Sequence, residues 1–274
     1  MRGGAIDGEV EGEYLGEAVA LSGNANVVAV GAPRHNNFSG KASVFVWETG
    51  GDGGDWQGGG EVLGEISDDQ AGASLALSAL GDTIAVGARF SIGSGNSDDG
   101  SGNVRVFREP SSRFGAPRPL GSPLKGNCAG DKFGYSVAMN ADGTVVAAGA
   151  PTTNWGGVVQ AYRWDESRSD WEPMGQALGE EEWFGSHVAL SGDGTVLAIA
   201  AYLSFTEGFT KAFRFDAVAT RWVQIGDTVH DANVGDASSG VSLNADGTLM
   251  AIGAVMNNDN GEDSGHVRVF RLVE

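Results

Sequence analysis

Carboxylates are the most abundant side chains in this sequence that could do chemistry. The chain has 36 acidic and 17 basic residues, which gives a formal net charge of −19 at pH 7. A surface of this charge repels polyanions, which argues against nucleic acid and anionic lipid as partners. Cations, basic proteins and neutral sugars remain compatible with it. Two carboxylates at a suitable separation could also hydrolyse a glycosidic bond, and the charge alone would keep the protein soluble.

The remaining reactive side chains form no catalytic motif. The chain has four histidines, at His35, His187, His230 and His266. No two of them stand at the spacing of a metal-binding pair, and the single cysteine, Cys128, excludes an internal disulfide. No Gly-x-Ser-x-Gly elbow or phosphate-binding glycine loop leads from a strand into a helix. The sequence therefore predicts that the protein is not an enzyme, with Ca²⁺ as its one candidate cofactor.

The elements that would position these groups belong to a repeated segment. Its five copies begin at Gly16, Gly72, Gly134, Gly185 and Ser238, and none contains an insertion. The third copy, for example, reads GYSVAMNADGTVVAAGAP. After a variable loop, a glycine precedes an aliphatic–aromatic pair, and an element with Trp or Phe then completes the copy. This internal repeat is therefore the strongest sequence evidence for the fold class.

Each copy predicts four short strands, which we call a, b, c and d. Strand a alternates small polar and apolar residues, whereas strand b is almost continuously apolar, as expected of a strand covered on both faces. An Asp-Gly turn such as Asp142-Gly143 favours a tight hairpin between them. Repeated units of four strands are typical of a β-propeller. We therefore predict an all-β fold, a five-bladed β-propeller of four-stranded blades that forms a single domain over 1–274.

The last copy lacks strand d, and the N-terminus supplies a matching fragment. The predicted repeats lie at approximately 9–64, 65–126, 127–179, 180–230 and 231–274, the last completed by 1–8. Gly3-Gly4-Ala5-Ile6 matches Gly175-Gln176-Ala177-Leu178, which lies in strand d of the third copy. The N-terminal strand is therefore predicted to complete the last blade and close the ring. This closure favours a complete five-bladed ring over a piece of a seven-bladed one.

The pattern resembles the FG-GAP repeat of integrin-α-type β-propellers. Phe-Gly is intact at Phe133-Gly134 and Phe184-Gly185, and Gly-Ala-Pro at Gly31–Pro33 and Gly149–Pro151. The resemblance covers the whole chain and implies adhesion or protein recognition at an extracellular or cell surface. The chain departs from the family where its turns hold one carboxylate each instead of a calcium loop. Because Ca²⁺ takes about six to eight oxygen ligands, the family's calcium sites are not carried over.

One face of the predicted propeller collects much of the acid. The b–c and d–a loops emerge on this face, and variable loops on a constant scaffold are where recognition usually resides. We expect the face to bind a protein or a glycan. The predicted ligand-binding residues are Glu9, Glu11, Glu13, Asp68, Asp69, Asp98, Asp99, Trp155, Glu180, Glu181, Glu182, Asp231 and Asp236.

A candidate metal site lies in the loop Met256–Gly265. An EF-hand pattern fails there, because the first ligand position would fall on Met256. A looser cage could still hold Ca²⁺ weakly. Its predicted ligands are Asn258, Asp259, Glu262 and Asp263.

The leading hypothesis is a non-catalytic adhesion or recognition module, extracellular or on the cell surface, that is a monomer or part of a larger complex. One alternative is a structural subunit docked in a larger assembly, and another is a glycoside hydrolase with carboxylates at the central channel. No apolar run approaches the length of a membrane span. The first residues lack the apolar stretch of a signal peptide, so the chain either is not secreted or is a mature or excised domain.

Overall fold

The fold is all-β, as predicted. We determined it as a computed structural model that describes residues 3–50, 54–91, 100–108, 117–153, 156–179, 183–202, 208–230 and 238–272. Within these ranges the strands are antiparallel and short, and the one helical element is a single turn, α1 (His35–Phe38).

Consecutive strands form five sheets, numbered here in chain order. Sheet 1 contains β1 (Ala18–Leu21), β2 (Val27–Ala32), β3 (Lys41–Glu48) and β4 (Asp55–Leu63), and α1 lies between β2 and β3. Sheet 2 contains β5 (Ala71–Leu77), β6 (Thr83–Ala88), β7 (Asn103–Arg108), β8 (Arg118–Pro119) and β9 (Leu124–Lys125). Sheet 3 contains β10 (Ser136–Met139), β11 (Val145–Thr153), β12 (Gly156–Asp165), β13 (Asp170–Pro173) and β14 (Leu178–Gly179). Sheet 4 contains β15 (Phe184–Leu190), β16 (Val196–Ala201), β17 (Phe209–Asp216) and β18 (Arg221–His230), and sheet 5 contains β19 (Ser238–Leu243), β20 (Leu249–Ala254) and β21 (His266–Arg271).

Sheets 1 to 4 follow the predicted order of strands a, b, c and d, and sheet 5 follows the order a, b and c within the described ranges. In sheets 2 and 3 the fourth strand is divided, so that β8 and β9 both pair with β7, and β13 and β14 both lie against β12. The second strands β2, β6 and β16 are buried at every residue. This burial confirms, for sheets 1, 2 and 4, the prediction that strand b is covered on both faces, whereas β20 in sheet 5 is only partly buried.

The contacts divide the chain into two compact units. One contains residues 1–134 and 166–170, with sheets 1 and 2, and the other contains residues 135–165 and 171–274, with sheets 3 to 5. In the first unit, Val44, Ile84 and Val86 lie at the centre of one apolar core. In the second, Phe184, Leu197 and Ile199 occupy the corresponding place. The single-domain organisation stays a prediction.

Neighbouring sheets approach each other at paired glycines. A Cβ on Gly31 would collide with the carbonyl oxygen of Gly72 in the next sheet. The same collision would occur between Gly87 and Gly134, and between Gly149 and Gly185. These are the glycines of the repeated Gly-Ala and Phe-Gly positions. Their spacing in the sequence is therefore explained by sheet-to-sheet packing.

At two of these glycine contacts, a serine side chain forms a hydrogen bond to the neighbouring sheet. Ser74 Oγ donates a hydrogen bond of 2.7 Å to the carbonyl of Gly134. Ser136 Oγ donates an equivalent bond of 2.7 Å to the carbonyl of Gly185. Because both serines are buried, each bond also satisfies a polar group that would otherwise be costly to bury.

The N-terminal segment lies against sheet 1. The Gly4 N–H donates a hydrogen bond of 3.0 Å to Asp55 Oδ1. The Ser122 N–H, which follows strand β8 of sheet 2, makes the same type of contact: it donates a hydrogen bond of 2.8 Å to Asp170 Oδ1. Residues 3–8 form no strand, and sheet 5 has three strands within the described ranges. Completion of the last blade by this segment therefore stays a prediction.

We expect Gly149→Ala to destabilise the protein by about 1–3 kcal/mol, because overpacking forces backbone shifts. Gly58→Ala in β4 is the matched control, since a Cβ there meets no atom within 4 Å. Urea unfolding at pH 7 measures both. Equal stability of the two variants would contradict the account of the glycine contact.

Candidate functional site

Some of the predicted ligand-binding acids are buried caps of turns. Asp69 Oδ2 accepts hydrogen bonds of 2.8 and 3.0 Å from the N–H groups of Glu65 and Ile66. Glu13 Oε1 accepts one of 2.6 Å from the N–H of Glu9. The side chains of Glu13 and Asp69 are 3% and 2% exposed. They therefore lie beneath the surface instead of on a ligand-binding face.

The other predicted acids are exposed or lie outside the described residues. Glu9, Glu11 and Asp68 are exposed at the ends of the loops that lead into strand a. The structure does not describe Asp98, Asp99, Trp155, Glu180, Glu181, Glu182, Asp231 or Asp236. The prediction of a continuous acidic surface thus rests on these three exposed residues within the described part.

The predicted calcium loop is held by its own hydrogen bonds. Asn258 Oδ1 accepts a bond of 2.7 Å from the N–H of Asp263, and Asp259 lies 3.9 Å from the ring nitrogen Nδ1 of His266. Among the described residues, no group of three or more His, Cys, Asp or Glu side chains could hold a metal ion. Calcium binding by Asn258, Asp259, Glu262 and Asp263 stays a prediction.

A glutamate–histidine pair in the loops beside sheet 1 is a candidate catalytic arrangement. Glu13 Oε2 and His35 Nδ1 are 2.8 Å apart, and the His35 side chain is 21% exposed. An ionised carboxylate only accepts hydrogen bonds, so Nδ1 carries the hydrogen and Nε2 is left with a lone pair. Within the described ranges no other hydrogen bond involves the His35 ring. The lone pair of Nε2 can therefore take a proton.

Neighbouring charges keep Glu13 ionised. Burial alone would raise the pKa of Glu13, but hydrogen bonds from His35 and the Glu9 backbone and the charge of Lys41 hold that pKa below its ordinary value. Lys41 is 3% exposed and contacts Glu9 at 2.8 Å and Glu61 at 3.4 Å. Burial lowers the pKa of Lys41, yet its carboxylate partners hold it above the ordinary value. The cluster therefore combines a fixed carboxylate with a buried cation.

An unusual turn presents His35. Asn36, Asn37 and Phe38 have φ values of 47°, 55° and 61°, in the left-handed region that L-residues disfavour. Asparagine tolerates this region better than most residues do. The Ser39 and Gly40 N–H groups close the turn on the carbonyls of Asn36 and His35. Disfavoured backbone conformations of this kind are found at active sites and ligand clamps, and this chain also has single residues of this kind in other loops, such as Ala25 and Thr220.

A surface cavity of about 340 Å³ lies beside this turn, at the end of sheet 2. It is lined by Ile66, Ser67, Asp68, Gln70, Phe90 and Gly100. The N–H groups of Asp68 and Gln70 donate to the carbonyls of Asn37 and Phe38 in α1. The loop that forms the wall of the cavity is therefore hydrogen-bonded to the turn that carries His35.

Comparisons with known proteins show the fold. A scan of protein-family models gives no match, and no curated protein matches the chain. Two solved structures provisionally named 6-phosphogluconolactonases, from Bacteroides uniformis and Bacteroides fragilis, are similar at 15% and 14% identity, both with a TM-score of 0.63. The matches cover 93% and 97% of this chain and 67% and 68% of theirs. TolB from Acinetobacter baumannii is similar at 9% identity and a TM-score of 0.53, over 93% of this chain and 51% of its own.

These structures are β-propellers, so the chain has a β-propeller fold. The chain spans about half to two thirds of their length. Likeness at such low identity shows the fold alone, because one fold supports many functions. Within the described ranges, no helix has the length and apolar character needed to cross a membrane.

The comparisons correct the prediction of a non-catalytic adhesion module. Two of the similar propellers are named as lactonases, which are hydrolytic enzymes. None of the structures described above is named as an FG-GAP, integrin or adhesion protein. The prediction of a non-catalytic protein that binds a protein or glycan through its acidic face is therefore wrong. An extracellular location stays a prediction.

The buried pair predicts a pH-dependent contribution to stability. Because the pKa of Glu13 lies below its ordinary value of 4.5, the carboxylate stabilises the folded state fully above that value, and the effect disappears as pH falls through the lowered pKa. We expect Glu13→Gln to lose about 2 kcal/mol at pH 7 and progressively less as the pH falls below 4.5. Urea unfolding across this range measures it. Glu11→Gln, in the same loop but exposed, should show no such trend, and a pH-independent loss in Glu13→Gln would contradict the assignment.

Proposed function

We propose that the protein is a hydrolase that opens a lactone or ester by general-base catalysis. The main observation behind this proposal is the 2.8 Å contact between Glu13 Oε2 and His35 Nδ1, which leaves His35 Nε2 able to accept a proton. The provisional lactonase names of two similar propellers support this reaction class.

The reaction would proceed in two balanced steps. His35 Nε2 takes a proton from a water molecule while the water oxygen attacks the carbonyl carbon of the substrate. The tetrahedral intermediate then expels the ring or ester oxygen, and the imidazolium returns its proton to that leaving group. Glu13 accepts the hydrogen bond from Nδ1 throughout, which fixes the tautomer and stabilises the imidazolium.

We expect the wild-type protein to hydrolyse glucono-δ-lactone and His35→Gln to lose about 100-fold or more in kcat, because the general base is removed. Glu13→Gln should lose less, since the imidazole remains. A pH-indicator assay for the released acid, corrected for spontaneous opening, measures the rates.

The matched control is His230→Gln. His230 is exposed at the end of β18 and belongs to the other compact unit. Its replacement should leave the rate unchanged. A wild-type rate in His35→Gln, or no hydrolysis of any neutral lactone or ester by the wild type, would overturn the proposal.

We also propose that the five sheets close into a five-bladed ring of the FG-GAP type. In sheet 4, Thr210 and Ala212 on β17 are buried, with Ala212 packed near Met250 and Ile252 of sheet 5. The equivalent positions in sheet 5 are Val267 and Val269, which are 72% and 66% exposed. Val19 and Leu21 on β1 are likewise exposed, at 61% and 57%. Mutual burial of these apolar faces would remove them from water and so stabilise the closed ring.

Closure can be tested at Val269. If the face is buried in solution, Val269→Asp should lose about 3 kcal/mol or more in urea unfolding, because a charge would enter an apolar interface. Val218→Asp is the control, since Val218 is 96% exposed in the turn after β17. Equal, near-zero effects of the two substitutions would show that the ring does not close there.

A further inference from the structure

We infer that the cavity beside α1 is the substrate subsite, and that it takes an uncharged pyranose ring. This inference rests on the proposed hydrolase function and adds the chemical class of the substrate. The cavity volume of about 340 Å³ falls within the range of small-molecule sites, which begins at about 300 Å³.

The walls combine apolar and hydroxyl-binding groups. Ile66 and Phe90 are 40% and 36% exposed, and they offer apolar surface to the C–H groups of a sugar ring. Ser67 and Asp68 are exposed, and within the described part neither side chain has a hydrogen-bond partner. Gly100 adds no side chain. A ring with an apolar face and hydroxyl groups at its edge fits this distribution.

Gln70 is fixed so that it donates. Arg89 Nε donates a hydrogen bond of 2.9 Å to Gln70 Oε1, which determines the orientation of the amide. Within the described part the amide NH₂ group of Gln70 has no acceptor. The cavity thus offers amide donors from Gln70, an acceptor from Asp68 and a hydroxyl from Ser67. Sugar hydroxyls both donate and accept, so they can satisfy all three groups.

The charges around the cavity favour a neutral ligand. Arg89 is bound to Glu17 at 3.3 Å, and Lys132 Nζ lies 5.6 Å from the centre of the Phe90 ring. These cations oppose a cationic ligand, whereas the Asp68 carboxylate and the net charge of −19 oppose an anionic one. A phosphorylated sugar is therefore a poorer ligand than its uncharged counterpart.

The loop that lines the cavity is hydrogen-bonded to the turn that carries His35. The Asp68 N–H donates to the Asn37 carbonyl at 3.2 Å, and the Gln70 N–H donates to the Phe38 carbonyl at 2.8 Å. The same turn begins at His35. A ring held by Asp68 and Gln70 would thus lie against a loop that is hydrogen-bonded to this turn.

The test uses unreactive rings, so that binding is measured without turnover. The probes are 1,5-anhydroglucitol, 1,5-anhydrogalactitol and 1,5-anhydromannitol, with 1,5-anhydroglucitol 6-phosphate as the charged counterpart. Ligand-observed NMR with the full chain gives the affinities. We expect at least one neutral ring to bind, and the phosphorylated ring to bind about tenfold more weakly or not at all.

The variants are Asp68→Asn, Phe90→Ala and the control Leu80→Ala. Asparagine keeps the shape of Asp68 and tolerates its φ of 68°. Asp68→Asn and Phe90→Ala should each weaken binding about tenfold, and they should raise KM for hydrolysis with kcat little changed. Leu80 is 68% exposed in the turn between β5 and β6, at the opposite end of β6 from Phe90, and its replacement should change nothing.

The two proposals fail in different ways. If no neutral ring binds, or if Asp68→Asn and Phe90→Ala bind as the wild type does, the subsite assignment is wrong whatever the hydrolysis assay shows. If His35→Gln binds the ring and also hydrolyses lactone at the wild-type rate, the subsite stands and the general base is wrong. Loss of hydrolysis with retained binding in His35→Gln supports both.

Discussion

The close contact between glycines of neighbouring sheets is the constraint on which the rest of the structure depends. Because Gly31, Gly87 and Gly149 have no Cβ, the carbonyl of the following sheet can lie directly against them. This approach covers both faces of the second strand in sheets 1 and 2, where every residue of the strand is buried. In sheet 4, Ala200 replaces the glycine, and its counterpart Ser238 is not glycine either.

Close packing of the strands confines the reactive side chains to the loops, where much of the acid stabilises turns. Asp246 shows this use of a carboxylate: its pKa lies below the ordinary value because Thr248 donates hydrogen bonds to it from its side chain and backbone. Asp69 caps the backbone of its own loop in the same sense. Glu13 also caps its own loop with one carboxylate oxygen, and its second oxygen contacts His35 on a different loop. This contact between a buried carboxylate and a histidine ring distinguishes the candidate site from the general acidity of the chain.

The strands could be predicted because the residue patterns that specify them lie within a few neighbouring residues. The site could not be predicted, because its residues come together only in the folded structure. Alternation, continuous apolar runs and Asp-Gly turns indicate backbone geometry within a few residues, and the fixed offset of glycines revealed the packing unit. The Glu13–His35 pair joins residues 22 apart, and the Lys41–Glu9 contact joins residues 32 apart. A search for histidines close to one another could find neither. One sequence signal was available: Glu13 and Asp69 both stand three residues before the glycine of strand a, an offset that indicates caps instead of ligands.

The left-handed turn ties the candidate site to the packing of the sheets. A left-handed conformation costs an L-residue roughly 1–2 kcal/mol, and Phe38 lacks the side chain that eases this for Asn36 and Asn37. The conformation is held because the carbonyls of Asn37 and Phe38 accept hydrogen bonds from the loop that leads into sheet 2. A right-handed turn would point these carbonyls away and break both bonds. The Ser39 carbonyl also accepts a bond from the N–H of Ala71, the first residue of β5, so the turn sits at the junction of two sheets. The orientation of His35 is thus a consequence of how sheet 2 packs on sheet 1, and a substitution that separates these sheets would disturb the site without touching any of its side chains.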